Sequence, residues 1–195
     1  GIKSSNMNNE FICVLDSDTI INEKAIINMV NCLEMNRYYM ITVPQMYNLK
    51  WEYQYSYKRF PTMTIKILKA LPYRKLNLKG YSMENYNFSF GNKVYEIDYG
   101  ISACWLMRRE VLKLAGYFDE NIFYSPEDVD YCATIWEHGG KVILSSDSII
   151  IHDTQRISKK KLISIHNISH IFGLIYYFCK HKYLFSAYKI RHKKL

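Results

Sequence analysis

Two aspartates follow the first apolar run of the chain, and their position suits a metal-binding turn. The run Phe11–Leu15 is followed at once by Asp16, Ser17 and Asp18. Two carboxylates at this spacing would project to opposite faces of a continuing strand, but they can converge on one cation where the backbone turns. Mn²⁺ and Mg²⁺ prefer such oxygen ligands. The structural alternative is a turn and a helix cap, because aspartate favours both.

A second acidic pair, Glu127 and Asp128, stands at a predicted helix start. Ser125 is expected as the N-cap and Pro126 as the first helical residue, with both acids in the first turn. The structural interpretation needs nothing more than this. The helix N-terminus is also expected to keep Asp128 ionised at neutral pH.

A histidine ends the last apolar run of the central part of the chain. His152 follows Ile149–Ile151, and its plain interpretation is a strand-end histidine that is hydrogen-bonded to a neighbour. Asp98 and Gly100 precede another apolar segment, where an edge-strand carboxylate is the plain interpretation of Asp98. Cys104 and Trp105 are expected in the core.

Four motifs follow the aspartate turn in order. They are a segment from Gly100 to Leu112 that contains Arg-Arg-Glu, the pentapeptide Gly116–Glu120, the segment Phe123–Cys132 with Glu-Asp-Val-Asp, and the strand ending at His152. This ordered series resembles the inverting glycosyltransferases of family 2, in particular the bacterial rhamnosyltransferase-like members. The resemblance covers about residues 1–170.

The resemblance implies a fold, a reaction and a set of site residues. The fold is α/β, a GT-A-like, Rossmann-related mixed sheet flanked by helices, and we expect it to lack the first strands of the complete domain. The reaction moves a sugar from a nucleotide-activated donor to an acceptor hydroxyl with inversion, in cell-surface polysaccharide or glycan synthesis, on a glycan or lipid-linked acceptor. The implied roles are metal binding by Asp16, Asp18 and His152, base catalysis by Asp128 with support from Glu127, and donor or acceptor binding by Asp16, Ser17, Asp98 and Gly100, with Mn²⁺ or Mg²⁺ as cofactor.

Two other functions stay open on the residues alone. A catalytically silent glycan-binding or scaffolding fragment would share the fold, although it would not need Asp18, Asp128 and His152 together. A glycoside hydrolase is less favoured, because Glu127 and Asp128 are adjacent and the aspartate turn suits a metal.

Periodicity and chain breakers predict the elements that position these residues. The predicted strands are 11–15, 40–47, 93–99, 103–107, 141–144 and 148–152. The predicted helices are one capped by Asn22 and the segments 109–115, 126–138 and 161–180. Residues 51–92 are predicted to form a variable region with short helices, and the resemblance implies that acceptor specificity is built there.

Positive charge is concentrated in the C-terminal segment. Residues 155–195 contain ten Lys or Arg and no acid, whereas the first 154 residues have a net charge of −2. We divide the chain into a catalytic part, residues 1–155, and a basic amphipathic helical tail, residues 156–195. The tail is either a solvated face or an anionic membrane contact to which Phe172, Leu174, Tyr177 and Phe178 add apolar area. Nucleic acid is not predicted as a partner, since no known motif accompanies the charge.

Cysteine usage and hydropathy bear on the compartment. The five cysteines show no metal-binding or paired spacing and are expected to be small buried hydrophobes in a reducing cytoplasm. The apolar run Ile171–Cys179 is too short to span a bilayer. We therefore expect a cytoplasmic location. If the basic tail contacts an anionic membrane, that contact would be peripheral and at the inner face of the membrane.

Overall fold

The chain folds as a mixed sheet with helices on both faces. The computed structural model describes residues 2, 5, 6, 8–122, 125–153 and 165–192, with side chains in the last range from residue 169 onward. The strands are β1 (Phe11–Leu15), β2 (Thr19–Ile20), β3 (Tyr39–Tyr47), β4 (Tyr53–Gln54), β5 (Tyr57–Lys58), β6 (Val94–Ile97), β7 (Tyr99–Gly100), β8 (Cys104–Arg108) and β9 (Lys141–His152). The helices are α1 (Glu23–Glu34), α2 (Met63–Ala70), α3 (Arg74–Glu84), α4 (Val111–Leu114), α5 (Glu127–Glu137), α6 (Ile165–His181) and α7 (Tyr188–Arg191).

The order of the strands brings distant parts of the chain to one end of the sheet. The main path runs β1-β8-β3-β9-β2, with β4 beside β3 and β6 beside β9. Strands β3 and β9 are parallel, and the other pairs are antiparallel. The end of β9 therefore lies between β3 and β2, next to the turn that follows β1. Strands β5 and β7 form a separate pair.

Buried side chains on the two faces form two cores. Helix α1 covers the smaller one, where Met29 and Leu33 belong to the same cluster as Met46, Ile143 and Ile150. Its N-cap is Asn22 as predicted, whose Oδ1 accepts a hydrogen bond from the Ala25 amide at 2.8 Å. The larger core lies on the opposite face, under α5 and the C-terminal helices. Trp105 is fully buried in this core and Cys104 in the smaller one, as expected.

Most predicted elements are present, and two of the predicted strands form one continuous strand. Residues 141–144 and 148–152 are two halves of the single strand β9, which pairs with β3 throughout but shifts register between Ser145 and Ile149. The intervening residues form a bulge, in which Ser145 and Ser148 hydrogen-bond through their hydroxyl groups at 2.8 Å. The short helices predicted within residues 51–92 are present as α2 and α3, together with the strands β4 and β5.

The C-terminal segment contributes to the larger core. Tyr177, Phe178, Tyr183 and Ile190 are buried there with residues of the sheet and of α5. The prediction that Tyr177 and Phe178 add apolar area to a membrane contact is therefore wrong, because protein atoms already cover both side chains. The described helix begins at Ile165; the predicted residues 161–164 lie outside the described part. No described helix has the length and hydropathy needed to cross a bilayer.

The cysteine prediction holds for three of the five residues. Cys32, Cys104 and Cys132 are buried, whereas Cys13 and Cys179 are exposed. Cys13 lies on β1, at the end of the strand order, and Cys179 lies on an outer position of α6. For these two the expectation of a buried hydrophobe is wrong, because an apolar run does not specify which of its positions face solvent.

Candidate functional site

The turn after β1 holds Asp16, Ser17 and Asp18 against the end of β9. The Asp16 amide donates to the carbonyl of Ala103 at 2.9 Å, and the Thr19 amide closes the turn by donating to the carbonyl of Asp16 at 3.1 Å. Strand β2 then pairs Thr19 with His152. Ser17 lies exposed between the two aspartates. The backbone therefore fixes both aspartates beside the last residue of β9.

Asp16, Asp18 and His152 form a cluster with the geometry of a cation site. Nε2 of His152 lies 3.3 Å from Oδ1 of Asp18 and 3.9 Å from Oδ2 of Asp16. One ligand atom from each side chain lies within 4.8 Å of the other two. The aspartate side chains are 54% and 39% exposed, whereas that of His152 is 11% exposed. The imidazole is thus anchored in the protein while the carboxylates remain accessible to a ligand from solvent.

The donor set of this cluster fits a divalent cation. Two carboxylates and one imidazole offer hard oxygen ligands and one nitrogen, a combination that Mn²⁺ accepts and that is less suited to Mg²⁺, which prefers oxygen and water throughout. The remaining coordination positions would face solvent, where substrate oxygens can reach them. The three predicted ligands are therefore brought together in a chemically consistent arrangement.

Asp128 lies at the start of α5, and its environment disfavours the charged form. Oδ1 accepts a hydrogen bond from the Val129 amide at 2.8 Å. Burial raises the pKa of Asp128 above its ordinary value, and this outweighs the hydrogen bond from Val129 and the positive charges of Lys58 and Lys66, which lower it. The net effect is opposite to the stabilisation of the carboxylate that the helix N-terminus led us to expect, because desolvation dominates.

Glu127 connects the acidic pair with the aspartate turn. Burial raises the pKa of Glu127, and the negative charges of Asp128 and Asp16 raise it further. The negative charge of Asp16 thus acts on Glu127, and the positive charges of Lys58 and Lys66 act on Asp128.

The local start of α5 differs from the sequence prediction. Ser125 does not cap the helix; Pro126 occupies the N-cap position and makes no side-chain cap hydrogen bond. Instead the Ser125 hydroxyl pairs with Nδ1 of His170 on α6 at 3.0 Å. Helix α6 approaches so closely that a Cβ on Gly173 would lie 2.2 Å from the Ser125 carbonyl oxygen. Tertiary contact with α6 thus takes the place of the predicted cap.

Asp98 is buried and already engaged by protein groups. Its Oδ2 accepts from the Phe60 amide and its Oδ1 from the Tyr86 hydroxyl, both at 2.7 Å. Oδ1 also lies 3.2 Å from Nη1 of Arg191 on α7. The carboxylate therefore ties the region 51–92 to the C-terminal helix, and the plain edge-strand interpretation does not describe it.

Gly100 is buried on β7 and is required by packing. A Cβ at this position would lie 2.3 Å from Cγ1 of Val43. Its carbonyl accepts from the indole nitrogen of Trp105 at 3.2 Å. Strand β7 packs against α5, so Gly100 lies behind the acidic pair rather than on an exposed surface.

Arg108 and Arg109 bind protein groups rather than an open anion site. Nη1 of Arg108 lies 3.4 Å from Oε1 of Glu10, and its Nη2 donates to the Leu33 carbonyl at 2.8 Å. Arg109 donates to the Asn6 carbonyl at 2.7 Å. Both side chains thus connect the start of α4 with residues near the start of β1 and the end of α1.

Sequence reasoning missed the lysines near Asp128. Lys58 and Lys66 lie in the region 51–92, which shows no periodicity that would assign a face to either side chain. His170 was missed for a related reason, since its partner Ser125 is far away in the chain. No local signal could have identified these residues.

Comparison with known proteins identifies the family and the fold. The family model for glycosyltransferase-like family 2 matches residues 2–166. No curated protein sequence gives a significant match. Among solved structures, the crystal structure of GalNAc-T7 with UDP, GalNAc and Mn²⁺ is similar, with a TM-score of 0.61 and 14% sequence identity over 93% of this chain.

The matched region is only part of that neighbour. The chain covers 35% of its length. The shared architecture is the mixed α/β sheet flanked by helices of the GT-A fold, as the sequence resemblance implied. Because the family model spans most of the chain, this protein belongs to glycosyltransferase-like family 2.

Proposed function

We propose that the chain transfers a sugar from a nucleotide-activated donor to an acceptor hydroxyl with inversion at the anomeric carbon. The observation that carries the proposal is the convergence of Asp16, Asp18 and His152 within 4.8 Å beside the acidic pair on α5. Family membership supports the same reaction class. In the similar solved structure the bound groups are UDP, GalNAc and Mn²⁺, which supports a nucleotide-sugar donor and Mn²⁺ here.

In this mechanism Asp128 is the base. The acceptor oxygen forms a bond to the anomeric carbon while the bond from that carbon to the donor diphosphate breaks, and the electron pair leaves with the diphosphate. The acceptor proton passes to the carboxylate of Asp128. A raised pKa helps, because a base whose pKa lies nearer the working pH takes the proton more readily. One displacement inverts the anomeric centre.

Asp16, Asp18 and His152 would hold the metal, which when bound supplies positive charge for the departing diphosphate. Ser17 lies in the same exposed turn and is the proposed contact to the donor. Glu127 is the proposed support for the position of Asp128. Asp98 and Gly100 are both buried, so we propose that they act by positioning β7 and the region 51–92 around the acceptor.

The biological setting follows from the family alone. We propose a glycan or lipid-linked acceptor in cell-surface polysaccharide synthesis, and the rhamnosyltransferase-like subgroup stays a prediction. Peripheral contact with an anionic membrane would use the outer side of α6, where Ile171, Phe172 and Ile175 are exposed, with Lys182 and Lys189 nearby in the chain. Phe172→Ala should then weaken binding to anionic vesicles, and equal binding would contradict the contact.

The test measures turnover of UDP-, GDP- and dTDP-sugars with and without Mn²⁺. Hydrolysis of the donor and transfer of its sugar to an acceptor are assayed separately. Asp128→Asn should lower turnover by about 10²-fold or more with little loss of donor binding, since the amide cannot accept a proton. Asp147→Asn, an exposed residue, is the matched control. Wild-type turnover in Asp128→Asn would remove the base assignment. Donor binding without any turnover in the unmodified chain would favour the catalytically silent glycan-binding fragment.

A further inference from the structure

Three lysines converge on one buried carboxylate close to Asp128. Lys58 ends β5, Lys66 and Lys69 lie on α2, and Glu84 ends α3. Oε2 of Glu84 lies 2.5 Å from Nζ of Lys69 and 3.6 Å from Nζ of Lys58, and the Glu84 side chain is 3% exposed. These lysines are not used in the transfer mechanism, and their number exceeds what Glu84 can neutralise.

Lys66 is the member of this cluster that lacks a close acidic partner. It is partly buried, and within the described ranges it forms no ion pair shorter than 4 Å. Burial lowers the pKa of Lys66, and the charges of Lys69 and Lys58 lower it further against the opposing effect of Glu84 and Asp128. The charged form of a half-buried ammonium group is stabilised by any anion that binds close to it.

The surrounding elements connect the strand that carries Lys58 with the helix that carries Asp128. Strand β5 pairs Lys58 with Tyr99 of β7, and β7 packs against α5. Helix α2 is fixed to the C-terminal segment by the hydrogen bond from the Met63 amide to the Leu184 carbonyl at 2.7 Å. The lysine charges act on Asp128, whereas the charge of Asp16 acts on Glu127.

Two polar groups lie near the start of α5, and one of them, His170, is within the electrostatic influence of Lys66 and Lys69. The Ser125 hydroxyl and Nδ1 of His170 form their 3.0 Å hydrogen bond next to the start of α5. Burial lowers the pKa of His170, and the positive charges of Lys66 and Lys69 lower it further. The lowered pKa favours the neutral form of His170. His170 therefore adds a neutral hydrogen-bonding group to the surroundings of the lysines rather than a further positive charge.

We propose that Lys58, Lys66 and Lys69 form a subsite that binds a phosphate or carboxylate group of the acceptor, beside the hydroxyl that Asp128 deprotonates. The three lysines exceed Glu84 and Asp128 by one positive charge, which an anionic group would balance. The inference rests on the proposed function, because it takes Asp128 as the base. It narrows the acceptor to a phosphorylated or acidic compound.

The diphosphate of the donor is the other anionic group that the lysines would attract. It would be bound at the separate cluster of Asp16, Asp18 and His152. Binding of an acceptor anion and of the donor should therefore be independent, and this separates the two sources.

The experiment is calorimetric titration of the full chain with phenyl phosphate in EDTA near neutral pH. The unmodified chain should bind it, Lys66→Gln should weaken binding about tenfold by removing a charged hydrogen-bond donor, and Lys75→Gln, an exposed lysine on α3, should have no effect. Lys58→Gln serves as the second variant if thermal unfolding shows that Lys66→Gln does not fold.

Two results would overturn the subsite. One is absence of phenyl phosphate binding, or binding that is unchanged in both Lys66→Gln and Lys58→Gln. The other is displacement of phenyl phosphate by saturating UDP and Mn²⁺, which would assign the lysines to the donor. Since the titration in EDTA needs neither metal nor turnover, its failure is distinct from a failure of Mn²⁺-dependent donor turnover.

Discussion

Nε2 of His152 lies 3.3 Å from Oδ1 of Asp18, at the point where β2 pairs with the end of β9. The two residue pairs between β2 and β9 hold these residues together. The amide of Asp153, which donates to the Asp18 carbonyl at 3.0 Å, adds a further hydrogen bond. Because the backbone fixes this arrangement, substitution of either side chain should change metal binding with little change in fold.

The pH dependence of turnover should report the environment of Asp128. Its carboxylate must be ionised to accept the proton, so kcat/KM should fall as the pH is lowered through its pKa, which burial raises above the ordinary value. Lys66→Gln removes a charge that lowers this pKa, so the acid limb should move to higher pH. The pH profile of kcat/KM checks the shift, with Lys75→Gln as control. An unmoved limb would mean that Lys66 does not act on Asp128.

Gly173 should not tolerate a larger residue, because α6 meets the backbone before Asp128 there. Alanine normally stabilises a helix interior by about 1 kcal/mol over glycine. Here its Cβ would lie 2.2 Å from the Ser125 carbonyl oxygen, and overpacking of this kind costs about 1–3 kcal/mol. We expect Gly173→Ala to lower both stability in urea and turnover. Gly91→Ala, with no atom within 4 Å of the added Cβ, is the control, and equal behaviour of the two variants would argue against the contact.

Helix α6 should behave as part of the fold rather than as a detachable tail. Tyr177 is fully buried, and its hydroxyl pairs with that of Tyr183 at 2.6 Å. Truncation of a buried aromatic residue to alanine costs about 3–5 kcal/mol. Phe172 is 66% exposed on the same helix, and its truncation should change stability by less than about 0.5 kcal/mol. Urea denaturation of Tyr177→Ala and Phe172→Ala measures both, and similar values would contradict the packing.

His181 should make stability depend on pH. Although burial lowers its pKa, hydrogen bonds to Asp130 at 2.9 Å and Glu137 at 3.0 Å raise it overall above the ordinary value. The stabilisation is therefore fully present below the unfolded pKa of about 6.5 and is lost as the pH rises through the folded value.

The measurement is the free energy of unfolding from about pH 6 upward. His181→Gln should lower stability by about 1.5–3 kcal/mol at the acidic end, because it removes the charge-assisted hydrogen bonds to the carboxylates of Asp130 and Glu137, and should flatten the pH dependence. His138→Gln, an exposed histidine, should keep the wild-type slope. A slope that His181→Gln leaves unchanged would place the titration elsewhere.

The residues that could be predicted from sequence are those whose position follows from local pattern. The aspartate turn after β1 and the histidine ending β9 are marked by the ends of apolar runs, and adjacent strand ends bring them together. Contacts between distant segments leave no such pattern. The bond between Ser125 and His170 and the lysines around Glu84 depend on how α2, α5 and α6 meet.

The amphipathic pattern of α6 also does not determine which surface its apolar side chains contact. Phe172 and Tyr177 are both aromatic residues of one helix, yet the first faces outward and the second is in the core. The hydrophobic effect favours burial of either against any apolar surface. Only the observed packing distinguishes a core contact from a membrane contact.

The most direct test of the proposed transfer site is binding of Mn²⁺, followed by the electron paramagnetic resonance signal of the free ion, in the presence of UDP, GDP or dTDP. Asp18→Asn should weaken nucleotide-dependent Mn²⁺ binding by more than the roughly 10- to 100-fold that loss of an outer partner of a metal site costs, while Asp147→Asn should bind as the unmodified chain does. Equal Mn²⁺ binding by Asp18→Asn and the unmodified chain would contradict the assignment of Asp16, Asp18 and His152 as the metal site.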